Sequence, residues 1–247
     1  MGGGRPLLSL LFGPGARPRV DDVARLAAAG GGFAISHRPE SDHGWLELLI
    51  NGLTFDVSGL APGGPTRPGP GAFAHRYGFS PDAPLDPLEA VVLAPGPHLA
   101  GGEAMLPVVK GAAALGAALA ELPGVAAVAW HPARALNGTA HFRNMVTAWT
   151  AGGVFPALGL TALAREPDGG MRSEGLKFLI GKELRIEPAP GAAAAEQARL
   201  AVRLIDRLVN DGVVNDLVTF EPLPGVVVEL APDPEERTLV RAWRRRH

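Results

Sequence analysis

Apolar and polar positions along the chain fall into short runs that have the periods of strands and helices. In the first sixty residues, four runs have the length and apolar character of strands: residues 7–12, 33–36, 45–50 and 53–57. Asn51-Gly52 joins the last two runs and predicts a tight hairpin, because both residues tolerate a positive φ. Residues 20–29 predict a short helix whose first turn carries two acidic residues.

The pattern breaks between residues 62 and 87, where proline and glycine are frequent and no period is kept. Such a composition predicts an exposed loop or a linker between two halves of the chain. We therefore divide the sequence into an N-terminal α/β half at residues 1–61, a Pro/Gly-rich segment at residues 62–87, and a C-terminal α/β half at residues 88–247.

The C-terminal half contains further strand and helix patterns with short connections. Runs typical of strands occur at residues 90–94, 125–130, 157–164, 175–186, 218–220 and 226–230. Helical patterns occur at residues 105–122, 140–149 and 192–209. These elements predict an α+β fold, a mixed α/β sandwich with helices packed on a largely antiparallel sheet. Both halves begin with a strand and a helix, which leaves open a duplication of one unit.

Two motifs of the C-terminal half are typical of a known family. An apolar strand ends in Trp130, and Gly175-Leu176 then runs into a strand centred on Glu183, followed by the amphipathic helix and a last pair of strands. In this order of elements the region 88–239 resembles the bacterial domain-of-unknown-function family numbered four-two-six-one. The resemblance implies an α/β module and supplies no catalytic residue, because the family has no assigned activity.

Composition excludes several classes of protein. Apolar residues make up 47% of the chain and charged residues 19%, which is too apolar for a disordered protein. The net charge of −2 supplies no general attraction for nucleic acid. Without cysteine the chain has no disulfide, thiolate zinc site or cysteine nucleophile, and a bacterial cytoplasmic protein fits best. The apolar run at residues 7–12 is too short to span a membrane.

His131 and His141 are the first candidates for a catalytic or metal-binding role. His131 follows the strand at residues 125–130, and side chains at strand ends often carry function. His141 begins the next predicted helix, so the two imidazoles could converge. Together with Glu174 or Glu183 they would form a metal site, or one histidine would act as a general base. A structural role is the alternative, because their spacing matches no known metal motif.

A second group of polar residues lies in loops around the first hairpin: His37, Glu40, Asp42, His43 and His75. It is a weaker metal-site candidate, since polar surface loops commonly have this composition. Ser36 and Ser173 lack the Gly-x-Ser-x-Gly pattern of serine hydrolases, and the phosphate-binding glycine motifs are absent. The sequence therefore predicts no cofactor.

Charged residues of the C-terminal half form a candidate surface for a protein partner: Lys177, Glu183, Arg199 and Arg203. If residues 175–186 are one strand, one face is mostly apolar and the other charged, and the charged face is either solvated or in contact with a partner. The basic end of the chain, residues 241–247, would suit an acidic partner or nucleic acid, or would simply be a basic tail after a helix. Binding of nucleic acid is the less favoured interpretation.

Two functional hypotheses follow from the sequence. The first is a non-catalytic binding or accessory module with an unidentified protein partner, of an immunity or secretion-accessory type by analogy alone. It rests on a well-patterned core and the lack of an assembled catalytic set. The second is a metal-dependent or general-base hydrolase centred on His131 and His141.

Overall fold

The computed structural model describes residues 5–40, 43–69, 71–79, 88–189, 191 and 193–245. The chain divides into two compact units, Met1–Gly153 and Val154–His247. Each unit contains one mixed, mostly antiparallel sheet with helices, so the predicted α+β class is confirmed. Among the described residues, no helix has the length and apolar character needed to cross a membrane.

The first unit is built on a sheet whose described strands follow the order β2-β3-β4-β6-β1-β7-β8-β5. Its strands are β1 (Leu8–Phe12), β2 (Ala34–His37), β3 (Trp45–Ile50), β4 (Leu53–Ser58), β5 (His75–Tyr77), β6 (Glu89–Pro95), β7 (Val125–Trp130) and β8 (Ala135–Asn137). Its helices are α1 (Val20–Ala28), α2 (Leu106–Leu119) and α3 (Thr139–Thr150). Neighbouring strands are antiparallel except β5 and β8, which are parallel.

The predicted hairpin between β3 and β4 is confirmed. Asn51 and Gly52 have φ angles of 51° and 78°, which match the twist that a two-residue turn needs between antiparallel strands. Register is continuous from Trp45 opposite Ser58 to Ile50 opposite Leu53.

The two faces of the central strand β1 are covered by different parts of the chain. Leu8 points towards α2, since a Cβ at Gly116 would lie only 2.4 Å from a Leu8 methyl group. Leu11 lies on the opposite face, in an apolar cluster against which Phe73 and Phe79 pack. The side chains of a strand alternate between faces, so Ser9 lies on the Leu11 side.

The Pro/Gly-rich segment, predicted as an exposed loop or a linker between two halves, lies within the first compact unit. Strands before and after it are neighbours in one sheet, because β6 pairs with both β4 and β1. The segment is anchored to this sheet where the Ala90 amide donates to the Thr66 carbonyl at 2.7 Å and the Ala74 amide to the Arg134 carbonyl at 2.9 Å. Its described part covers one face of the sheet, and the boundary between the units falls after Gly153.

The second unit contains a sheet whose described strands follow the order β12-β13-β14-β11-β10-β9. Its elements in chain order are α4 (Ala157–Leu160), β9 (Ala162–Arg165), β10 (Met171–Glu174), α5 (Leu176–Ile180), β11 (Glu183–Ile186), α6 (Ala194–Asp211), β12 (Val218–Leu223), β13 (Val226–Pro232) and β14 (Leu239–Arg244). Only β11 and β14 are parallel neighbours. The apolar stripe of α6 is buried as predicted: Leu200, Leu204, Ile205 and Leu208.

Three local predictions in this unit are wrong. Residues 157–160 form an irregular turn before β9, with non-helical backbone angles at Leu158 and Gly159, although a strand was predicted over residues 157–164. Residues 175–186 are not one strand, because the short helix α5 precedes β11 and removes the predicted alternation of faces. The basic end of the chain contributes strand β14 and does not follow a helix as a tail.

Candidate functional site

A serine and a histidine from neighbouring strands form a hydrogen-bonded pair in the first unit. Ser9 lies in β1, and His131 follows β7 directly, where its backbone amide donates to the Leu7 carbonyl at 2.9 Å and continues the ladder. Ser9 Oγ lies 2.8 Å from His131 Nε2. With the imidazole proton on Nδ1, the hydroxyl donates to Nε2. The pairing of β1 with β7 thus joins residues 122 positions apart.

The pair borders a cavity of about 380 Å³, a volume within the range of small-molecule sites. Its base is the sheet face that carries Ser9 and Val92, and its wall is the Pro/Gly-rich segment at residues 66–69, 72 and 73. Ser9 is only 2% exposed, yet it contributes to this lining. The predicted linker is therefore the element that turns a sheet face into a concave site.

Two arginines give the cavity a positive character. Arg5 and Arg67 both belong to its lining, and Arg67 has 69% of its side chain exposed. The carboxylate of Glu89 lies 3.9 Å from Arg67 but only 2.9 Å from Arg17 Nε. Hydrogen bonds from Arg17 and from the Gly15 amide hold the pKa of Glu89 below its usual value. Because Arg17 already neutralises Glu89, the charge of Arg67 remains available to the cavity.

His131 is the titratable member of the pair, and its surroundings favour the neutral imidazole. Its pKa is lowered first by burial, which disfavours the imidazolium, and then by repulsion from Arg5. The Phe73 ring lies 6.0 Å from the imidazole, centroid to centroid, and tilted by 40°. No carboxylate among the described residues hydrogen-bonds to His131. The site therefore combines a neutral hydrogen-bonding pair, two cations and an aromatic wall.

His141 lies in different surroundings from His131. It occupies the first turn of α3, where its ring stacks on Tyr77 at 6.4 Å and its buried Nε2 has no hydrogen-bond partner among the described residues. A Cβ at Gly78 would lie 2.3 Å from the Cβ of His141, so the two residues are in close contact. Among the described residues, the side chain of His131 hydrogen-bonds to Ser9, and no hydrogen bond or ring contact joins it to His141.

The carboxylates proposed to complete a metal site belong to the second unit. Glu183 begins β11 and accepts hydrogen bonds from the Ser173 hydroxyl, from the Gly175 amide at 2.9 Å and from the Lys177 amide at 3.1 Å. These amides lie at the start of α5, where helical donors lack backbone partners, so Glu183 caps that helix. Glu174 ends β10 opposite Ala162.

The candidate histidines around the first hairpin belong to different elements of the first unit. His37 lies 5.5 Å from the Trp45 ring, and His75 belongs to β5. Glu40 and His43 are exposed, whereas Asp42 lies outside the described residues. Over the described parts of both units, no group of three His, Asp or Glu side chains could hold a metal ion.

The candidate partner surface in the second unit is only partly available. Lys177, Arg199 and Arg203 are exposed, and among the described residues neither arginine forms an ion pair. The fourth candidate, Glu183, is engaged by α5 as described above. A basic surface on α5 and α6 therefore remains, without the acidic residue.

The arginines of β14 are paired with carboxylates. Arg241 Nε lies 2.7 Å from Glu187, which also binds Arg185 at 2.5 Å. Arg185 further contacts Glu166 at 2.5 Å and Asp168, and its hydrogen bonds to Glu166 and Glu187 raise its pKa. The cations form a row, because Arg185 lies directly opposite Arg241 in the parallel pair. The charges of this row belong to an intramolecular network.

The remaining described arginines of the basic end, Arg244 and Arg245, also lie close to carboxylates. Arg244 pairs with Glu196 of α6 at 2.6 Å, and Arg245 lies 3.8 Å from Glu229. Residues 246–247 lie outside the described residues. An acidic ligand would therefore compete with internal carboxylates for these arginines.

Sequence reasoning missed most of the cavity. It selected His131 but not Ser9, Arg5, Arg67 or Phe73. One local signal was present, since Ser9 is the only polar residue in the apolar run at residues 7–12. A lone hydroxyl within a buried strand needs a hydrogen-bond partner, and that requirement points to a nearby polar group.

Comparison with known proteins adds no relative. No protein-family model matches the chain, and no curated protein or solved structure is significantly similar to it. The resemblance of residues 88–239 to an uncharacterised bacterial family stays a prediction. The candidate function must therefore be argued from the cavity itself.

Proposed function

We propose that this chain is a binding module whose first unit binds a small organic anion in the Ser9–His131 cavity. The observation that carries the proposal is the meeting of Arg5 and Arg67 with a neutral hydrogen-bonding pair in one concave site. Guanidinium groups match the geometry of carboxylate and phosphate oxygens, and Phe73 offers an apolar surface for the rest of the ligand. An anion with an aromatic or aliphatic body fits this combination.

The anionic group could belong to a free metabolite or to a protein partner, through an acidic side chain or a chain terminus. The second source corresponds to the accessory, partner-binding role that the sequence predicts, in a bacterial cytoplasm. Both sources present the same chemistry to the cavity. They are distinguished by whether a free small acid or only a peptide binds.

The test is calorimetric titration with phenylacetate, phenyl phosphate and the uncharged control phenylacetamide. We expect the two anions to bind and the amide to bind at least tenfold more weakly, because it cannot use the arginine charges. The double variant Arg5→Ala, Arg67→Ala should lose about tenfold or more in affinity. Arg25→Ala is the matched control, since Arg25 is 73% exposed and pairs with Asp22 on α1.

A second arm tests the protein source. Short peptides that end in phenylalanine are titrated with a free and with an amidated C-terminus. Binding of the free-acid peptide but not of phenylacetate identifies a protein partner. If no anion or acidic peptide binds more tightly than its neutral counterpart, the proposed function is refuted.

A further inference from the structure

We propose that Ser9 is a nucleophile, and that the cavity hydrolyses activated esters of small acids that carry a second, anionic group. This inference rests on the proposed anion site and adds a reaction to it. It assigns the substrate class from two features: a hydroxyl–imidazole pair that can attack an ester, and arginines that can hold a distant carboxylate or phosphate.

The geometry of the pair is that of an activated hydroxyl. Ser9 Oγ and His131 Nε2 are 2.8 Å apart, within the range in which an imidazole removes a proton as the oxygen attacks. The position of His131 is fixed at its backbone by Leu7 and at its ring by the packing of Phe73. Both residues border the cavity, so a ligand there lies next to the pair.

The protonation state of the pair also suits this role. Burial and Arg5 keep His131 in its neutral, basic form at pH 7. A depressed pKa makes the imidazole a weaker base, so the reaction favours esters whose alcohol leaves easily, such as phenyl esters. With no carboxylate oriented on His131 among the described residues, we expect slow turnover with accumulation of the acyl intermediate.

The reaction proceeds in two balanced halves. Ser9 Oγ bonds to the ester carbonyl carbon, His131 takes the hydroxyl proton, and the carbon–oxygen bond to the alcohol breaks. The alcohol leaves with the proton from His131, and the acyl group remains on Ser9. A water molecule then attacks this acyl group while His131 accepts its proton, which passes to Ser9 Oγ as the free acid departs. One ester and one water give one acid and one alcohol.

The arginines determine which esters react. A substrate that ends in a carboxylate can pair with Arg5 or Arg67 while its ester carbonyl lies near Ser9. A neutral ester of similar length lacks this interaction. We therefore expect 4-nitrophenyl hydrogen adipate to react at least tenfold faster than 4-nitrophenyl hexanoate.

The experiment follows 4-nitrophenolate release and the intact mass of the full chain. The expected result is a burst of up to one equivalent, a mass increase of one adipoyl group, and its location on the Ser9 peptide. Ser9→Ala should abolish the adduct, and His131→Gln should slow its formation about 100-fold, the typical loss of a general base. Ser36→Ala should react like wild type, since Ser36 is exposed on β2.

Each other outcome has a definite meaning. If phenylacetate binds but the Ser9 peptide of the wild-type protein stays unmodified, the inference is refuted and the proposed function stands. If neither anion binding nor acylation occurs, both are refuted. Acylation of Ser9 at equal rates by both esters refutes the anionic substrate class. Peptide mapping of the wild-type protein decides the role of Ser9 even if Ser9→Ala fails to fold.

Discussion

Replacement of Glu183 tests whether this residue has a structural role. In the sequence analysis, Glu183 lies at the centre of a predicted strand and is among the candidates for a metal site. Its carboxylate accepts from the Ser173 hydroxyl and from the amides of Gly175 and Lys177. The Ser173 hydroxyl in turn accepts from the Leu184 amide at 2.8 Å. Glu183→Ala would leave these donors on α5 and β10 without their acceptor.

The size of the effect follows from these contacts. A hydrogen bond to a charged group contributes about 1.5–3 kcal/mol, and unpaired buried donors cost a similar amount. Water can replace the carboxylate at Lys177, which is exposed, but has less access to Ser173, which is 4% exposed. We therefore expect a loss of about 3 kcal/mol for Glu183→Ala, and a smaller loss for Glu183→Gln, which keeps one acceptor oxygen.

The assay combines urea unfolding with hydrogen exchange of the peptide that spans residues 173–186. The expected result is a lower unfolding midpoint together with faster exchange in this peptide. Glu235→Ala is the control, because that exposed carboxylate makes no hydrogen bond among the described residues and should leave both readings unchanged. Wild-type stability and exchange in Glu183→Ala would refute the capping role.

Three further predictions concern the core, the pH response and the ion network. Gly116→Ala gains about 1 kcal/mol of helix propensity but places its Cβ 2.4 Å from the buried Leu8 side chain. Thermal unfolding should therefore show that the free energy of unfolding falls by about 1–2 kcal/mol. A gain in stability would contradict this packing. The pKa of His131 in the folded protein lies below the ordinary value of 6.5. Between the folded pKa and about pH 6.5, unfolding therefore adds a proton to this imidazole. Stability from this group is complete above about pH 6.5 and falls as pH drops towards the folded pKa. His131→Gln should remove that fall in urea titrations at several pH values, and an unchanged slope would refute it. Arg185→Ala leaves Glu166, Asp168 and Glu187 without their shared cation, so the midpoint of urea unfolding should drop. High salt should restore part of it, because salt screens the repulsion among the three carboxylates. A midpoint equal to wild type would show that the network contributes nothing to stability.

Elements defined by local chemistry were predictable from the sequence. The β3–β4 turn needs positive φ at two residues, and Asn51-Gly52 supplies it. Helix α6 carries its apolar stripe at helical spacing over 18 residues, so its period is unambiguous. In both cases a few neighbouring residues contain the whole signal.

Elements defined by distant contacts were not predictable in this way. Residues 176–180 have a run of apolar residues that suits a strand equally well, and their helical turn depends on glycines of positive φ at both ends and on the Glu183 cap. Strand β14 is rich in arginine because Glu187 and other carboxylates on neighbouring elements neutralise it.

The candidate site shows the same limit. His131 could be selected as the polar residue after an apolar strand, but its partner depends on which strand lies beside β7. Periodicity does not determine strand order, and β1 is 122 positions away at the point of contact. Arg67 and Phe73 were not selected as site residues because they lie in a segment interpreted as a loop or a linker.

The Pro/Gly-rich segment joins two strands of one sheet, and this has a consequence for proteolytic cleavage of the chain. Because β4 and β6 are hydrogen-bonded neighbours, a protease that nicks the chain within residues 62–69 leaves two pieces held by a shared sheet. The pieces should co-migrate on a sizing column and separate only in denaturant. Two gene fragments divided at this position should likewise reassemble when co-expressed, whereas each alone would expose an unpaired strand edge and aggregate.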